Sequence, residues 1–209
     1  MGQFSVGINK RLFKQFGLPV RIRSDNGVPF CSPHSLHGLS RLSVWWLRLG
    51  IQIERIKPGN PQQNGRHERM HRTLKQATTR PPGSNMLQQQ DKFERFVREY
   101  NFERPHEALA MKTPGSLYQA SRRAYKGLPD LQYPFHDRSI TVTECGRICM
   151  ERKKVNLSTV LAGQLVGVRQ VDDQVWQVSF MDYDLGYFDL DSCRVEPGDN
   201  PFGPRVLTM

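Results

Sequence analysis

The chain has 209 residues, of which 24% are charged and 37% hydrophobic, and its formal net charge is +10. It contains no run of about 18 apolar residues, which excludes a membrane-spanning helix, and its N-terminus lacks the pattern of a signal peptide. The four cysteines include no Cys-x-x-Cys pair, so we expect free thiols in a reducing cytosol and no structural zinc. This length is typical of one medium domain followed by a small one.

The positive charge is concentrated in the first part of the chain. Residues 1–80 contain 14 Lys and Arg against 3 Asp and Glu, whereas residues 81–209 contain 16 against 17. Concentrated basicity indicates a surface that binds nucleic acid, because each neutralised phosphate releases counterions. The alternative is ribosomal or membrane-surface basicity, but such segments usually lack embedded carboxylates.

The first elements are predicted to alternate between helix and strand. Residues 7–16 form a predicted helix, residues 20–24 a strand, residues 40–49 a helix, and residues 51–56 a second strand. The two strands are expected to be parallel, because a helix connects them. The apolar residues predicted to share one side of the first helix are Ile8, Leu12 and Phe16.

Asp25 follows the first predicted strand, in the turn sequence Asp25-Asn26-Gly27. Functional sites of open α/β sheets form just outside the carboxyl ends of strands, so Asp25 is a candidate catalytic carboxylate. The alternative is an ordinary Asx-turn residue at a strand end. His34 and His37 lie in the following loop and are interpreted as loop residues.

A polar loop then leads into a basic helix that carries a single acid, Glu68. At 100° per residue, Glu68, Arg72 and Lys75 share one face. A carboxylate flanked by cations suits a metal ion beside a phosphodiester backbone. The alternative is a solvated basic face with a helix-stabilising Glu68–Arg72 pair. The opposite, apolar face is predicted to consist of Met70, Leu74 and Ala77.

The same helix contains the sequence His-Glu-x-x-His at residues 67–71, which fits the zinc-protease signature. A zinc hydrolase needs a dry, shaped cavity around the metal. Here the interior position of the motif is Arg69, and Arg66, Arg72 and Lys75 would crowd the ion with positive charge. Both features disfavour the zinc interpretation.

The next segment is predicted to be helical and then to lose regular structure. Residues 84–101 form a predicted amphipathic helix, and a short helix begins at Thr113-Pro114. His106 is interpreted as a structural or capping residue, and residues 123–137 as an interdomain linker. The predicted core stripe of the long helix is Phe93, Phe96, Val97 and Tyr100.

From residue 138 the apolar period changes to two, which predicts a small β-barrel of six short strands. Trp176, Val178 and Phe180 are expected on the inner face of one strand. The acidic residues of its far half are expected to face away from DNA, and they lack the spacing of an EF-hand calcium site. The basic rim expected to contact phosphates is Arg147, Arg152, Lys153 and Lys154.

Four segments, SDNG, PGNPQQNGRHERMHRTLK, YNFERPHEAL and KTPGSLY, occur in this order and together resemble the integrase-type core of bacterial insertion-sequence transposases, relatives of the retroviral integrases. The segments HDRSITVT, DLGYFD and NPFGP resemble the C-terminal part of one branch of these transposases. The resemblance implies an α/β ribonuclease-H-like integrase core over residues 1–122, partial because its early strands are missing. It also implies that residues 138–198 form an all-β SH3-like barrel, followed by a tail at residues 199–209.

The resemblance implies an Asp-Asp-Glu triad that holds two Mg²⁺ or Mn²⁺ ions for phosphodiester cleavage and DNA strand transfer. Asp25 matches the second Asp and Glu68 matches the Glu, as catalytic residues and metal ligands. The chain begins after the first Asp, so we expect an N-terminally truncated core that binds metal weakly and does not cut DNA alone. The DNA-binding residues implied by the resemblance and the basic rim are Gln62, Gln63, Asn64, Arg66, Arg72, Lys75, Arg152, Lys153 and Lys154.

The expected partners are element ends and target DNA, together with a second copy of the chain or an intact transposase. The open edge of the strand at residues 20–24 favours self-association. No membrane partner is expected, and the location is the bacterial cytoplasm in association with the nucleoid. The alternative function is that of a non-catalytic protein that binds DNA ends or pairs with transposase to modulate transposition.

Overall fold

A computed structural model describes residues 2–203 of the chain, with the side chains described from residue 6 onward. The chain divides into two compact units. The first comprises Met1–Pro61 together with Arg122–Met209, and the second comprises Gln62–Ser121. The predicted domains are consecutive along the chain, with boundaries near residues 122, 137 and 198. The first compact unit instead combines an N-terminal segment with the whole C-terminal part. Part of the predicted tail, residues 204–209, lies outside the described residues.

The N-terminal half of the first unit alternates helix and strand as predicted: α1 is Gly2–Phe16, β1 is Arg21–Ser24, α2 is Arg41–Arg48 and β2 is Gln52–Arg55. Strands β1 and β2 are parallel, which confirms that prediction. In the part of the chain that the structure describes, they form a two-stranded sheet, so the other edge of β1 has no paired strand.

Helix α1 packs on a different side from the one that its apolar pattern indicates. Ile8, Leu12 and Phe16 are 49%, 44% and 42% exposed, whereas Phe13 is buried. Phe13 stacks on Trp45 of α2, with ring centroids 5.6 Å apart and planes 11° apart. This stacking fixes the rotation of the helix and leaves the predicted stripe at the surface.

Helix α2 begins at a capping box, in which the Ser40 side chain accepts from the Ser43 amide and the Ser43 side chain accepts from the Ser40 amide. Its side chains are buried from Leu42 to Leu47, which means that it is enclosed on opposite sides. Trp45 and its neighbours pack with α1, whereas Val44 and Leu47 join the core of the C-terminal sheet.

Seven strands follow in the C-terminal part of the first unit. In the described chain, five form an antiparallel sheet of order β3-β6-β7-β8-β9, and two form a separate hairpin, β4-β5. The structure thus confirms six short strands and adds a seventh, while the finer SH3-like barrel stays a prediction. Their bounds are β3 Arg138–Thr141, β4 Arg147–Met150, β5 Lys153–Asn156, β6 Leu165–Asp172, β7 Val175–Phe180, β8 Tyr183–Asp189 and β9 Glu196–Pro197.

Strand β7 is buried on both of its faces. Trp176, Val178 and Phe180 are buried on the inner face as predicted, and Gln177 and Ser179 on the other face are also buried. Polar partners compensate the second pair, since Gln177 accepts a hydrogen bond from an Arg side chain of β6 and Ser179 donates one to the carboxylate of an Asp in β8.

The predicted linker is attached to the first unit along its length. The Arg123 guanidinium donates to the carbonyls of Pro19, Leu49 and Gly50 at 2.8–2.9 Å. Further on, the Tyr133 hydroxyl donates to the Leu165 carbonyl at 2.8 Å and accepts from the Met181 amide at 3.0 Å. We call residues 122–137 the strap.

The second unit is helical: α3 is Gly65–Thr79, α4 is Met86–Arg98 and α5 is Pro114–Leu117. A 3₁₀ turn at Pro61–Asn64 precedes α3, and a π-helical turn at Glu99–Glu103 continues α4. Helices α3 and α4 are in contact.

Two predicted packing faces in this unit are partly wrong. On α3, Ala77 is exposed and Thr78 is buried in its place, while Met70 and Leu74 are half-buried. Thr78 is accommodated because its hydroxyl donates to the Leu74 carbonyl at 2.7 Å, and its carbonyl accepts from the Gln89 side chain of α4.

On α4, Phe96 is buried, but Phe93 and Val97 are 37% and 51% exposed, so the predicted core stripe is covered on one side only. Phe96 stacks on Tyr100, and Tyr100 contacts His106 edge-on with ring centroids 4.6 Å apart. The His106 Nε2 atom also lies 3.2 Å from the Tyr100 carbonyl, which fits the predicted structural role of this histidine.

His37 lies in the loop as predicted, within a 3₁₀ turn at Leu36–Gly38, and it is buried. Its Nε2 atom lies 2.7 Å from the Leu185 carbonyl of β8, and its backbone has a left-handed φ of 54°. The buried Arg55 side chain donates to the His37 and Gly38 carbonyls at 3.0 and 2.9 Å. Burial lowers the pKa of Arg55. The loop is therefore fixed between β2 and the C-terminal sheet.

Candidate nucleic-acid interface and acidic residues

Asp25 lies directly after β1, at the predicted carboxyl end of the strand. Its Oδ1 atom accepts a hydrogen bond from the Gly27 amide at 3.0 Å, so the Asx-turn interpretation is correct for this oxygen. The Asn26 side chain donates to the Ile56 carbonyl at 2.9 Å, which ties the turn to the end of β2. The carboxylate is at the surface on a turn that is held at both ends.

Glu68 occupies the first turn of α3 and is exposed. The expected pair between Glu68 and Arg72 does not form, since neither residue takes part in an ion pair among residues 2–203. This excludes the interpretation of Glu68 as one half of a helix-stabilising pair. A carboxylate in the first turn is still favourable, because it lies near the positive end of the helix dipole.

The cations of this helix and its C-terminal end are also exposed and have no acidic partner within 4.0 Å in the described part of the chain. Elsewhere in the second unit, cations do find partners, as in the Arg95–Asp91 and Arg98–Glu103 pairs of α4 and its extension. Helix α3 is therefore a surface of uncompensated positive charge with one acid in it. Its cations are Arg66, Arg69, Arg72, Lys75 and Arg80.

The loop that leads into α3 leaves the helix N-terminus without a side-chain cap. Asn64 is the N-cap residue, and its side chain makes no capping hydrogen bond. The first amides of an α-helix have no intrahelical acceptor, and together with the helix dipole they favour a phosphate oxygen at this end of α3. The predicted contact residues Gln62 and Gln63 form the 3₁₀ turn just before it.

Asp25 belongs to the first unit and Glu68 to the second. Between residues 2 and 203, no group of three His, Cys, Asp or Glu side chains is placed to hold a metal ion. Glu54 is a buried acid on β2, but it pairs with Arg23 at 2.8 Å. The residues present thus do not provide the carboxylate set that a two-metal centre needs.

The His67 and His71 rings lie one turn apart on α3, with centroids 4.2 Å apart and planes tilted by 47°. Both residues are exposed, so no enclosed cavity surrounds them. This geometry gives no support to the zinc-hydrolase interpretation, which requires a third ligand and a dry site.

The predicted basic rim of the C-terminal part lies on the β4-β5 hairpin. Glu151 and Arg152 form its tip, with left-handed φ values of 49° and 64°. Lys153 pairs with Asp191 at 2.9 Å, and this hydrogen bond raises the pKa of Lys153. Acidic and basic side chains are therefore neighbours here, since Asp191 is one of the acids of the far half that are expected to face away from DNA. Arg152 and Lys154 have no ion pair in the part of the chain that is described.

The part of the chain that the structure describes has no helix long and apolar enough to cross a membrane.

In a comparison with known protein families, residues 49–114 match the integrase core domain family. This segment contains β2, α3 with Glu68, and α4, but not Asp25. A 73-residue region is 41% identical to the Gag-Pol polyprotein of baboon endogenous virus (strain M7), covering 35% of this chain and 4% of that protein. The Pol polyprotein of feline endogenous virus ECE1 is also 41% identical over 73 residues, covering 35% of this chain and 6% of that protein.

The matched region thus spans only a small fraction of these viral polyproteins. The match to the integrase core domain family covers the helical segment that carries the uncompensated cations. Both of these relatives are proteins of endogenous retroviruses. The segment at residues 49–114 is therefore similar to the integrase core domain of the retroviral integrase superfamily.

Proposed function

We propose that this chain binds DNA in a process of DNA integration or transposition, with α3 and the loop before it against the sugar-phosphate backbone. The observation that carries this proposal is the row of exposed cations on α3 that have no acidic partner among the described residues. The match of this segment to the integrase core domain supports the same conclusion.

The helix offers contacts of two kinds. Arg72 and Lys75 share a face with Glu68 and supply charge to phosphates, while Arg66 lies in the first turn beside the uncapped helix N-terminus. Gln62 and Asn64 provide neutral amide groups that hydrogen-bond phosphate or sugar oxygens. These contacts position the strand and carry no base specificity by themselves.

A second contact is proposed at the tip of the β4-β5 hairpin. Arg152 and Lys154 are exposed there, whereas Lys153 is partly compensated by Asp191. We therefore expect Lys153 to contribute less to DNA affinity than its two neighbours.

Asp25 and Glu68 are proposed as two carboxylates of the integrase-type set, with Mg²⁺ or Mn²⁺ as the ions they would share. Carboxylates held near each other bridge such ions and supply the oxygen ligands that these hard cations prefer. Two carboxylates are too few for a pair of ions in near-octahedral geometry. We propose that the chain of 209 residues binds DNA but does not cut or join it alone.

The finer identity that we propose is a relative of bacterial insertion-sequence transposases, present in the cytoplasm with the nucleoid and acting with a second copy or with intact transposase. Element-end sequences would then bind more tightly than random DNA of the same length. Equal affinity for the two would leave only the backbone-binding role.

The test of DNA binding is the salt dependence of affinity for a duplex, measured by fluorescence anisotropy. We expect the logarithm of the association constant to fall linearly with the logarithm of the salt concentration, with a slope of about −0.9 for each phosphate neutralised. Arg72→Gln and Lys75→Gln should each lower affinity uniformly across sequences and reduce the slope by about 1.

Arg95→Gln is the matched control, because Arg95 is exposed in the same unit but is paired with Asp91. The salt dependence of DNA binding by the Arg95→Gln variant should have the same slope as that of the unchanged chain. If Arg95→Gln and Arg72→Gln weaken binding equally, the proposed surface on α3 is wrong.

A further inference from the structure

A cavity of about 650 Å³ lies in the first unit beside helix α2. Helices α1 and α2, the strap, and the segment before β6 contribute its walls. This volume lies in the range of about 300–1,000 Å³ that is typical of small-molecule sites. The cavity contains neither Asp25 nor any residue of α3, so the function proposed above does not use it.

One wall of the cavity carries a fixed positive charge. The Arg48 guanidinium donates through Nη1 to the Gln164 Oε1 atom at 2.8 Å and through Nη2 to the Pro129 carbonyl. Both acceptors are neutral, and no carboxylate lies within ion-pair distance in the described chain. The Nε atom of Arg48 is buried and has no acceptor among residues 2–203. A partly buried charge without a counterion is unfavourable, and an anion in the cavity would offset this cost.

A second cation lies on the same helix face. Arg41 lines the cavity seven residues before Arg48, about 10 Å along the helix axis. Arg41 is exposed and has no ion pair in the described residues, so its side chain is available to close on a bound anion. The pair thus combines one guanidinium held by hydrogen bonds with one that can adapt.

The remaining walls are apolar, apart from one acid. Val6, Val44, Val160 and Trp45 line the cavity, and one face of the Trp45 ring is covered by Phe13. Glu144 also lines it and is not ion-paired with either arginine. A ring with N–H donors suits these walls, because it can pack on the apolar surface and donate a hydrogen bond to the carboxylate.

We propose that this cavity binds a phosphorylated ring compound of the nucleotide class. A phosphate monoester carries a charge of about −1.5 to −2 at pH 7, which matches two guanidinium groups. The phosphate lies at Arg41 and Arg48, and the base lies against the valines with its N–H groups toward Glu144. The ligand is either a free nucleotide or the 5′-phosphorylated end of a DNA strand, since both present this chemistry.

The test is isothermal titration of the full chain with thymidine 5′-monophosphate, compared with thymidine and with inorganic phosphate. We expect one nucleotide to bind per chain. Thymidine and inorganic phosphate should each bind at least about tenfold more weakly than the nucleotide. Arg41→Gln and Glu144→Gln should each weaken nucleotide binding by about tenfold, because each removes one charge-assisted hydrogen bond. Arg122→Gln, an exposed arginine that does not line the cavity, is the matched control and should bind as the unchanged chain does.

Competition with oligonucleotides distinguishes the two sources. If a 5′-phosphorylated strand displaces the nucleotide and a 5′-hydroxyl strand does not, the strand end is the ligand. If neither strand displaces it, the ligand is a free nucleotide. Duplex binding by Arg41→Gln should keep its salt slope, which separates this site from the surface on α3.

Two results would overturn the proposal. One is thymidine 5′-monophosphate binding no better than inorganic phosphate. The other is unchanged nucleotide affinity in both Arg41→Gln and Glu144→Gln, with thermal melting showing that the variants are folded.

Discussion

Arg23 and Glu54 are register partners on the parallel strands β1 and β2, and the Nη2 atom of the arginine lies 2.8 Å from the Oε1 atom of the glutamate. Glu54 is 4% exposed, and the Arg23 side chain is 26% exposed. An acid buried to this extent is tolerated because a cation on the neighbouring strand compensates it. The pair therefore stabilises the strand register, and Glu54 is committed to a structural role instead of a metal.

Glu54→Gln should destabilise the first unit by about 2–4 kcal/mol, because it removes the negative charge from an ion pair whose acid is buried. Urea unfolding followed by tryptophan fluorescence measures the change. Asp91→Asn breaks an exposed i,i+4 pair with Arg95 and is the control, for which we expect about 0.5 kcal/mol or less. If the two substitutions lower the free energy of unfolding equally, the Arg23–Glu54 ion pair contributes no more than a surface ion pair.

Tyr133 connects the strap to the C-terminal sheet, and removal of its hydroxyl tests how strongly the strap is held. Tyr133→Phe loses one donated and one accepted hydrogen bond, so we expect a loss of about 1–3 kcal/mol in the free energy of unfolding. Unfolding at pH 7–8 measures it. A loss below about 0.3 kcal/mol would mean that the strap is not held there.

The contribution of Tyr133 should also depend on pH. Burial raises the pKa of Tyr133 above its ordinary value of 10.0, because the charged phenolate is disfavoured in the folded state. The stabilisation is therefore complete below pH 10 and is lost as the pH rises through the raised value. The difference in unfolding free energy between the unchanged chain and Tyr133→Phe should therefore be constant up to about pH 10 and shrink as the pH rises further. Burial also raises the pKa of Tyr183, but Tyr183 is present in both proteins, so its effect cancels.

Several features could be predicted from the sequence because they depend on local patterns. The parallel pair β1–β2, the start of α3 after a polar loop, and the C-terminal strands follow from periodicity and turn residues. Packing partners could not be predicted in this way. Helix α1 has apolar residues on neighbouring sides, and its buried side is the one on which Phe13 packs against α2 and stacks on Trp45.

Long-range contacts that have no local signal could not be predicted from the sequence either. His37 appears as a polar loop residue in the sequence, but a hydrogen bond to a carbonyl of the distant strand β8 keeps it buried. The strap has the composition of a linker, and its long-range hydrogen bonds through Arg123 and Tyr133 are invisible to composition. For the candidate site, the structure confirms that the basic segment with Glu68 is a helix. That Asp25 and Glu68 belong to one site stays a prediction.

The role of these two acids can be tested with oligonucleotides that carry element ends, in Mg²⁺ and in Mn²⁺. We expect no cleavage or strand-transfer product above that of the double variant Asp25→Asn, Glu68→Gln, because two carboxylates do not complete a two-metal site. Denaturing gels measure the products. Robust turnover that either single substitution abolishes would overturn this expectation and would assign catalysis to the chain itself.

The free edge of β1 predicts self-association. Among the described residues β1 pairs with β2 alone, and Val20, just before it, is 58% exposed. An edge with unpaired amides and carbonyls next to exposed apolar side chains can pair with another chain, and a charged residue on such an edge opposes this pairing. We expect sedimentation velocity to show a rise in average mass with concentration for the unchanged chain. Val20→Lys should shift this rise to at least about fivefold higher concentration, whereas Val171→Lys, which places a lysine on a strand paired on both sides, should not. A monomer at all concentrations, or equal shifts in both variants, would show that the β1 edge does not pair with a second chain.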